Sequence, residues 1–444
     1  MSTKKMGVVQ LTMLTAINMV GSGIILLPAK LAEIGTISIL SWLVTAAGAF
    51  ALAYCFAQCG MLSRRSGGMF GYAEYPFGTT GNFISNYTYC LSILIGNVAI
   101  AITAVGYAVG FFNMTLTPLN TCLATVLVLW LTTVANFWGS RMTGRIGSVT
   151  IWGVIIPVFG LCLIGWFWFK PEMYASAWNP HHMPTLSAIS ASISITLWAF
   201  LGLESACANA DAVDNPERNV PIAVLGGTFG AALIYIGSTN VIAGIVPNLQ
   251  LASSTAPFGL VFSYMFSPVI GKTVMALMCM ACIGSLLGWQ FTFAQVCRSG
   301  AEAGFYPKIF TVITRAGAPV KGMLILVIMQ SALSFMTISP TLSKQFDVLL
   351  NLAVLTNLIP YVLSMAALVI MQKMAGIAGR RRLTNNLATL LATAFTYYAI
   401  YNTGADALTW GGIATFFGWT MYGMISPRFE TDRNRRELTV PASD

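Results

Sequence analysis

Long apolar segments separated by short polar connections make up nearly the whole chain. A helix needs about 20 predominantly apolar residues to cross a membrane, and most of these segments are about that long. The pattern therefore predicts an all-α membrane protein with twelve transmembrane helices. The predicted spans are residues 7–30, 37–62, 81–112, 116–136, 147–169, 186–210, 221–245, 270–297, 320–338, 347–373, 386–402 and 409–426.

Residues 246–269 interrupt this pattern between the seventh and eighth predicted spans. They include Pro247, Pro257 and Pro268, and proline does not fit the interior of a helix. We expect a loop here, with no more than a surface helix in it.

Two of the spans contain residues that do not suit an ordinary helix. Gly21 and Gly23 lie in the first span, and Gly202 and Glu204 lie in the sixth. Glycine weakens a helix by about 1 kcal/mol relative to alanine, and a carboxylate at bilayer depth costs about 2.5–3.5 kcal/mol. We therefore expect helix breaks at Gly21, Gly23 and Gly202, with Glu204 facing a cavity. Close helix packing at the first two glycines, and a Glu204 that only pairs inside a bundle, are the alternatives.

The two interrupted spans begin two units of five spans each, at about residues 7–169 and 186–373. An odd number of crossings inverts the second unit relative to the first. Interrupted helices at corresponding positions of inverted halves indicate a secondary transporter with its site near the membrane midplane. We expect one transporter domain over residues 1–430, with two extra helices at about 386–426 and a disordered cytoplasmic tail at 431–444.

Composition and charge agree with a membrane protein and give its orientation. The chain is 56% hydrophobic and only 8% charged, whereas soluble domains carry about 25% charged residues. Most of its 23 Lys and Arg residues fall in connections on one side, and the other side holds only Lys30, Lys170, Lys272 and Lys344. The positive-inside rule then predicts that both termini are cytoplasmic. The net charge of +9 follows from this asymmetry beside lipid headgroups, and we expect no nucleic-acid partner.

The sequence offers little support for enzymatic or metal chemistry. The two histidines, His181 and His182, are adjacent in a predicted external loop, and Cys279-x-x-Cys282 lies inside an apolar span where packing is the better interpretation. An integral membrane enzyme would need clustered acids or Ser–His pairs, so we disfavour that class. We expect no cofactor, no metal and no catalytic residues, and we leave a homo-oligomer open.

Several motifs stand out by their order and spacing along the chain. They are Gly21-Ser-Gly23 with Ile24, Trp198-Ala-Phe-Leu-Gly-Leu-Glu204, Asn215-Pro-Glu-Arg-Asn-Val-Pro221 and Gly288-Trp289. With these motifs the chain from Lys5 to Phe429 resembles the amino acid–polyamine–organocation transporters. The resemblance implies an inverted repeat of five plus five helices with two extra helices, in a bacterial inner membrane. It also implies exchange of an amino acid for its decarboxylated amine, with ornithine and putrescine as the expected pair.

The same resemblance assigns a set of substrate-contacting positions. Glu204 would accept the ammonium group, and the π faces of Trp198 and Trp289 would each contribute about 2 kcal/mol when desolvated. Backbone donors near Gly23 would suit the carboxylate that only the amino acid carries. The implied positions are Ser22, Gly23, Tyr89, Asn97, Trp198, Glu204, Trp289 and Tyr361, with Tyr422 and Cys59 as weaker additions.

Alternatives remain at this point for both the residues and the substrates. Trp289 could be an interfacial anchor, and Asn97 could make a polar contact between helices. The exchanged pair could instead be lysine and cadaverine or arginine and agmatine. Proton-coupled uptake of putrescine, or import of another cationic amino acid, is also compatible with the sequence.

Overall fold

The computed structural model of the protein describes residues 7–63, 65, 67–204 and 215–439. All regular secondary structure in these residues is helical, which confirms the predicted all-α class. The helices, numbered here in chain order, are α1 (Val8–Gly23), α2 (Leu27–Ile34), α3 (Ile39–Leu62), α4 (Met69–Phe112), α5 (Pro118–Ala135), α6 (Ser140–Thr150), α7 (Trp152–Ile164), α8 (Pro171–Ser176), α9 (Thr185–Trp198), α10 (Pro216–Ala243), α11 (Asn248–Ala252), α12 (Pro257–Met265), α13 (Pro268–Glu302), α14 (Val320–Met336), α15 (Leu342–Met374), α16 (Gly379–Tyr401) and α17 (Ala405–Thr439).

Seven helical segments of the described chain are long and apolar enough to cross a membrane. They comprise α3, α4, α5, α6 together with α7, α10, α13 and α15. The apolar helices α9 and α14 are shorter, and the end of the predicted sixth span, residues 205–210, lies outside the described residues. The count of twelve spans therefore stays a prediction.

The segment predicted as a loop with at most a surface helix contains two helices, and this prediction is wrong for the second of them. Phe258 and Val261 of α12 are fully buried, so this helix belongs to the core and not to the surface. Pro257 and Pro268 open α12 and α13 at the first helical position, where the missing N–H of proline would be unpaired in any case. The prolines thus mark helix beginnings and not an extended loop.

The last helix, α17, continues through Thr439 into the segment that composition predicted to be disordered. Residues 440–444 lie outside the described residues.

A central group of helices carries most of the packing. Helix α4 packs extensively against α15 and also against α13, while α1 packs against α10. The thiols of Cys90 on α4 and Cys297 on α13 lie 3.5 Å apart in the core. Because α4 touches both partners along its length, it can hold side chains from α13 and α15 around one space.

A buried lysine joins α2 to α15. Lys30 is only 2% exposed, and its Nζ lies 2.9 Å from Glu33 Oε1 and 2.7 Å from Asp347 Oδ2. Nζ also donates to the hydroxyl of Ser343. Burying an ammonium without partners would be expensive, so these acceptors keep the charge in place and tie the beginning of α15 to the second helix of the chain.

Candidate substrate-binding site

The backbone departs from helical geometry at Gly21 and Gly202, whereas Gly23 is the last residue of α1. Gly21 has φ −46° and ψ −109° near the end of α1, and α2 begins only at Leu27. Helix α9 ends at Trp198, and turns lead from there through Gly202, whose φ is 103°. A positive φ of this kind favours glycine, which accounts for Gly202. Both departures lie beside one internal cavity.

This cavity has an empty volume of about 510 Å³, including the space at its opening. It is bounded by the end of α1, the middle of α4, the turns after α9, and side chains from α13 and α15. Of the sequence-predicted residues it brings together Gly23, Tyr89, Asn97, Trp198, Glu204 and Trp289. The spacing argument that put Tyr89 and Asn97 on one side of a helix is consistent with this arrangement.

Glu204 is the acidic residue of this cavity, and it is 4% exposed. The hydroxyl of Tyr361 donates to its Oε2 at 2.5 Å, and the backbone N–H of Gly202 donates to the same oxygen at 3.1 Å. The hydroxyl of Tyr89 donates to Oε1 at 3.2 Å. A carboxylate has about four acceptor positions, so these three donors hold Glu204 in place and leave Oε1 able to accept another hydrogen bond.

Aromatic rings form two walls of the cavity. Trp198 is 8% exposed and meets the ring of Phe346 edge-on, with ring centroids 6.4 Å apart. Its indole lies against Gly96 of α4, where a Cβ would come within 3.3 Å of Trp198 Cη2. Trp289, on α13, lines the cavity and remains partly exposed. An indole that faces a cavity can contact an alkyl chain or an ammonium through its π face.

The other residues predicted to contact substrate are not among the described residues that line the cavity. Tyr361 is fully buried behind Glu204 and contacts it by hydrogen bond, without lining the cavity. Tyr422 belongs to a separate cluster, where its ring packs against Phe83 with centroids 5.2 Å apart. Cys59 is buried and its thiol donates to the carbonyl of Ser364. The side chain of Ser22 lies outside the described residues.

The cavity also contains residues that the sequence did not single out. Ser92 and Gly96 come from α4, and Asn357 comes from α15, four residues before Tyr361. The hydroxyl of Ser92 donates to the carbonyl of Ala353 at 2.9 Å, so it joins the two helices. An Asn in a predicted apolar span was a signal for Asn357, whereas Gly96 gave none. Apolar side chains complete the lining: Met19, Ile93, Ile100 and Leu201.

These groups together suit a particular kind of ligand. Glu204 can accept hydrogen bonds from a cation, and the two indoles and the apolar side chains can cover a short hydrocarbon chain. The amides of Asn97 and Asn357 can donate or accept. Within the described ranges no group of three or more His, Cys, Asp or Glu residues is positioned to hold a metal ion.

An all-helical fold with a buried carboxylate in a largely apolar cavity is compatible with a membrane permease. The chain belongs to the amino acid permease family, whose model matches residues 6–425. The family assignment from the sequence is thereby confirmed. The chain is 64% identical over 428 residues to the putrescine transporter PotE of Escherichia coli, covering 96% of this chain and 98% of that protein. It is 61% identical over 428 residues, with the same coverage, to the putrescine transporter PotE of Haemophilus influenzae.

A more distant relative is the cadaverine/lysine antiporter of Escherichia coli. It is 35% identical over 373 residues, which cover 83% of this chain and 84% of that protein. Both a putrescine transporter and a cadaverine/lysine antiporter therefore align with most of this chain.

Proposed function

We propose that this protein is a secondary transporter that exchanges putrescine for ornithine across the bacterial inner membrane by alternating access. The observation that carries the proposal is the buried carboxylate of Glu204, which faces a cavity walled by Trp198 and Trp289. The identity of 64% and 61% to putrescine transporters, over almost the full chain, supports the choice of diamine.

The chemistry of the two substrates matches the cavity. Putrescine has two ammonium groups joined by four methylenes, and ornithine has the same two nitrogens with a carboxylate on one of the adjacent carbons. Glu204 accepts one ammonium, and the indoles cover the methylene chain. The backbone N–H groups at the break near Gly23 are donors for the carboxylate of ornithine. No nucleotide or cofactor takes part, so concentration gradients drive the exchange.

The proposal includes an architecture for alternating access. The helices α1 and α2 are the two parts of one interrupted first span, and α9 is the first part of an interrupted sixth span. The chain then has twelve spans in two inverted units of five plus two extra helices, with both termini in the cytoplasm. Tilting of the interrupted spans against the other helices would expose Glu204 to one side of the membrane at a time.

Proton-coupled uptake of putrescine is a second mode of the same site. A proton and an ammonium group compete for the Glu204 carboxylate, because protonation removes the charge that attracts the ammonium. Exchange of singly charged ornithine for doubly charged putrescine moves net charge unless a proton accompanies it.

A related exchange of lysine for cadaverine is the alternative. It is supported by the 35% identical cadaverine/lysine antiporter, but that similarity is much lower than the similarity to the putrescine transporters. Cadaverine is one methylene longer than putrescine, so the length of the cavity beyond Glu204 would decide between them.

The test is exchange in proteoliposomes that contain the purified protein and labelled putrescine. We expect rapid loss of label with ornithine outside, and slow loss with lysine, arginine or no substrate outside. Glu204→Gln should abolish the stimulation, whereas Glu172→Gln, in the exposed helix α8, should retain it. Stimulation by lysine that equals or exceeds that by ornithine would contradict the proposed pair.

A further inference from the structure

The second amide of the cavity is buried and has an unused donor. Asn357 is 2% exposed on α15 and lines the same cavity as Glu204. Its Nδ2 makes no hydrogen bond with any residue that the structure describes. The amide lies beside the Tyr361 hydroxyl, within hydrogen-bonding range but without the geometry of a hydrogen bond from Nδ2. A buried amide nitrogen without an acceptor is costly, so a group that enters the cavity and accepts its hydrogen bond would gain binding energy.

The position of Asn357 relative to Glu204 follows from the helix. Asn357 and Tyr361 are four residues apart on α15 and therefore share one face. The hydroxyl of Tyr361 contacts Glu204 Oε2 at 2.5 Å. Asn357 thus lies about one helical turn before Tyr361, whose hydroxyl holds the carboxylate, and it lines the cavity.

The two proposed substrates differ at a single position, and that difference requires an unusual partner. Next to one ammonium group, ornithine has a carboxylate, which only accepts hydrogen bonds. Putrescine has only hydrogen there, and its ammonium groups only donate. A site that takes both substrates in turn therefore gains from a side chain that can donate to the first and accept from the second.

Among the polar side chains of the cavity, the amides of Asn97 and Asn357 meet this requirement, since the Nδ2 of each is unpaired within the described residues. Asn357 is the one that shares a helix face with Tyr361, which holds Glu204. Ionised Glu204 can only accept, and the hydroxyls of Tyr89 and Ser92 already donate within the protein. Rotation of the Asn357 amide by a half turn exchanges its N–H₂ group for its oxygen without any other movement.

Building on the function proposed above, we propose that Asn357 is the specificity-determining residue that distinguishes the amino acid from the diamine. With ornithine bound, the α-ammonium contacts Glu204 and the Asn357 N–H₂ group donates to the α-carboxylate. With putrescine bound, the corresponding ammonium contacts Glu204 and the Asn357 oxygen faces it. Substitution of Asn357 should therefore change the ratio of the affinities for ornithine and putrescine without abolishing the binding site.

The test measures the affinities of putrescine and ornithine for the full chain, purified in detergent, by displacement of labelled putrescine. Asn357→Asp keeps the acceptor oxygen, replaces the N–H₂ donors by a second oxygen and adds a negative charge. We expect it to weaken ornithine about 10- to 100-fold, the range for loss of a hydrogen bond to a charged group, and to leave putrescine unchanged or tighter. Asn357→Leu should weaken both substrates, and ornithine more.

Two further variants separate this role from a structural one. Asn385→Asp is the matched control, because Asn385 is also buried with an unpaired Nδ2 but lies on α16 outside the cavity. Its ratio of affinities should equal that of the wild type. Asn97→Asp tests the other cavity amide. A change of the ratio in Asn97→Asp, together with an unchanged ratio in Asn357→Asp, would overturn the assignment.

The outcomes also separate this inference from the proposed function. A wild-type protein that fails to bind either putrescine or ornithine overturns both. A wild-type protein that binds both, with equal changes for both substrates in Asn357→Asp, overturns only the role of Asn357. If Asn357→Asp does not fold, Asn357→Leu decides the matter, because an unchanged ratio in that variant contradicts the assignment.

Discussion

The indole of Trp198 lies directly against Gly96, and a Cβ at Gly96 would approach Trp198 Cη2 to 3.3 Å. That distance is tighter than an ordinary van der Waals contact, so Gly96→Val should push the indole out of its place beside Phe346. We expect Gly96→Val to lower putrescine affinity by roughly tenfold or more, and Gly96→Ala to have a smaller effect. Displacement of labelled putrescine measures both.

The control for this prediction is Gly160→Ala on α7, where an added Cβ meets open space. It should leave the affinity unchanged. Full affinity in a well-folded Gly96→Val variant would mean that the position of the Trp198 indole does not matter for binding.

Glu204→Gln should weaken putrescine binding and remove its dependence on pH. The side chain keeps its size and can still accept from Tyr361, but it loses the charge that attracts an ammonium group. In the wild type, affinity should fall as pH is lowered, because protons compete with the substrate for the carboxylate. Glu204→Asp should be partly active, since its shorter side chain reaches less far.

The measurement is putrescine affinity from acidic to neutral pH for the wild type and the Gln variant. An unchanged affinity in a well-expressed Gln variant would assign Glu204 a structural role, and the ammonium group would need another acceptor.

Trp289→Leu should weaken substrate affinity by roughly tenfold or more, whereas Trp289→Phe or Trp289→Tyr should keep part of it. The reason is that an aromatic face in a water-poor site contributes about 2 kcal/mol to binding an alkylammonium. Trp166→Leu is the control, because that indole is 52% exposed beyond the end of α7. Equal substrate affinities of the Leu and Phe variants would mean that Trp289 contributes packing and no aromatic contact with the substrate.

Asp347→Asn should lower the temperature of unfolding in detergent. The change leaves the buried Lys30 ammonium with one carboxylate partner, Glu33. We expect a loss of about 1–3 kcal/mol, less than for a fully buried pair, because Asp347 is 37% exposed and water screens its charge. The double variant Lys30→Met with Asp347→Leu should recover much of the stability.

Thermal unfolding of the wild type, of Lys30→Met and Asp347→Leu separately, and of the double variant measures this coupling. The exposed pair of Arg298 and Glu302 supplies the comparison, and Glu302→Gln should change stability by less than about 0.5 kcal/mol. Additive effects of the Lys30 and Asp347 substitutions would contradict a functional ion pair.

Reporter fusions at both ends of the chain test the proposed orientation. Cytoplasmic reporters should be active at the N-terminus and at the C-terminus, because most Lys and Arg residues fall in connections on that side. A C-terminus on the outer side would contradict the orientation and also the count of twelve spans, since an even number of spans returns the chain to the same side.

The sequence predicted the parts of the site that violate the rules for a membrane helix. Glycine pairs and an intramembrane carboxylate are costly wherever the chain folds, so Gly21, Gly202 and Glu204 were recognisable without a structure. The aromatic residues of the site came from the family resemblance, because a membrane tryptophan alone does not reveal whether it faces lipid or a cavity.

Other features depend on contacts between distant segments, which the sequence does not reveal. Gly96 is needed for close approach only because Trp198, on another helix, lies against it. Lys30 looked like an ordinary charge at a span end, and its burial depends on Asp347, far along the chain. The prolines of residues 246–269 indicated breaks correctly but not which side of each proline would be helical, so the buried helix α12 was missed.

The distance between the thiols of Cys90 and Cys297 can be used to follow the spacing of α4 and α13 in the native chain. Cys90 directly follows Tyr89 on α4, and Cys297 lies two turns after Trp289 on α13. Their sulfur atoms, 3.5 Å apart, therefore report the separation of the two helices that carry facing walls of the cavity. A small mercurial or an oxidant that links the two thiols would trap one spacing of these helices, and substrates that change the linking rate would reveal movement without any engineered label.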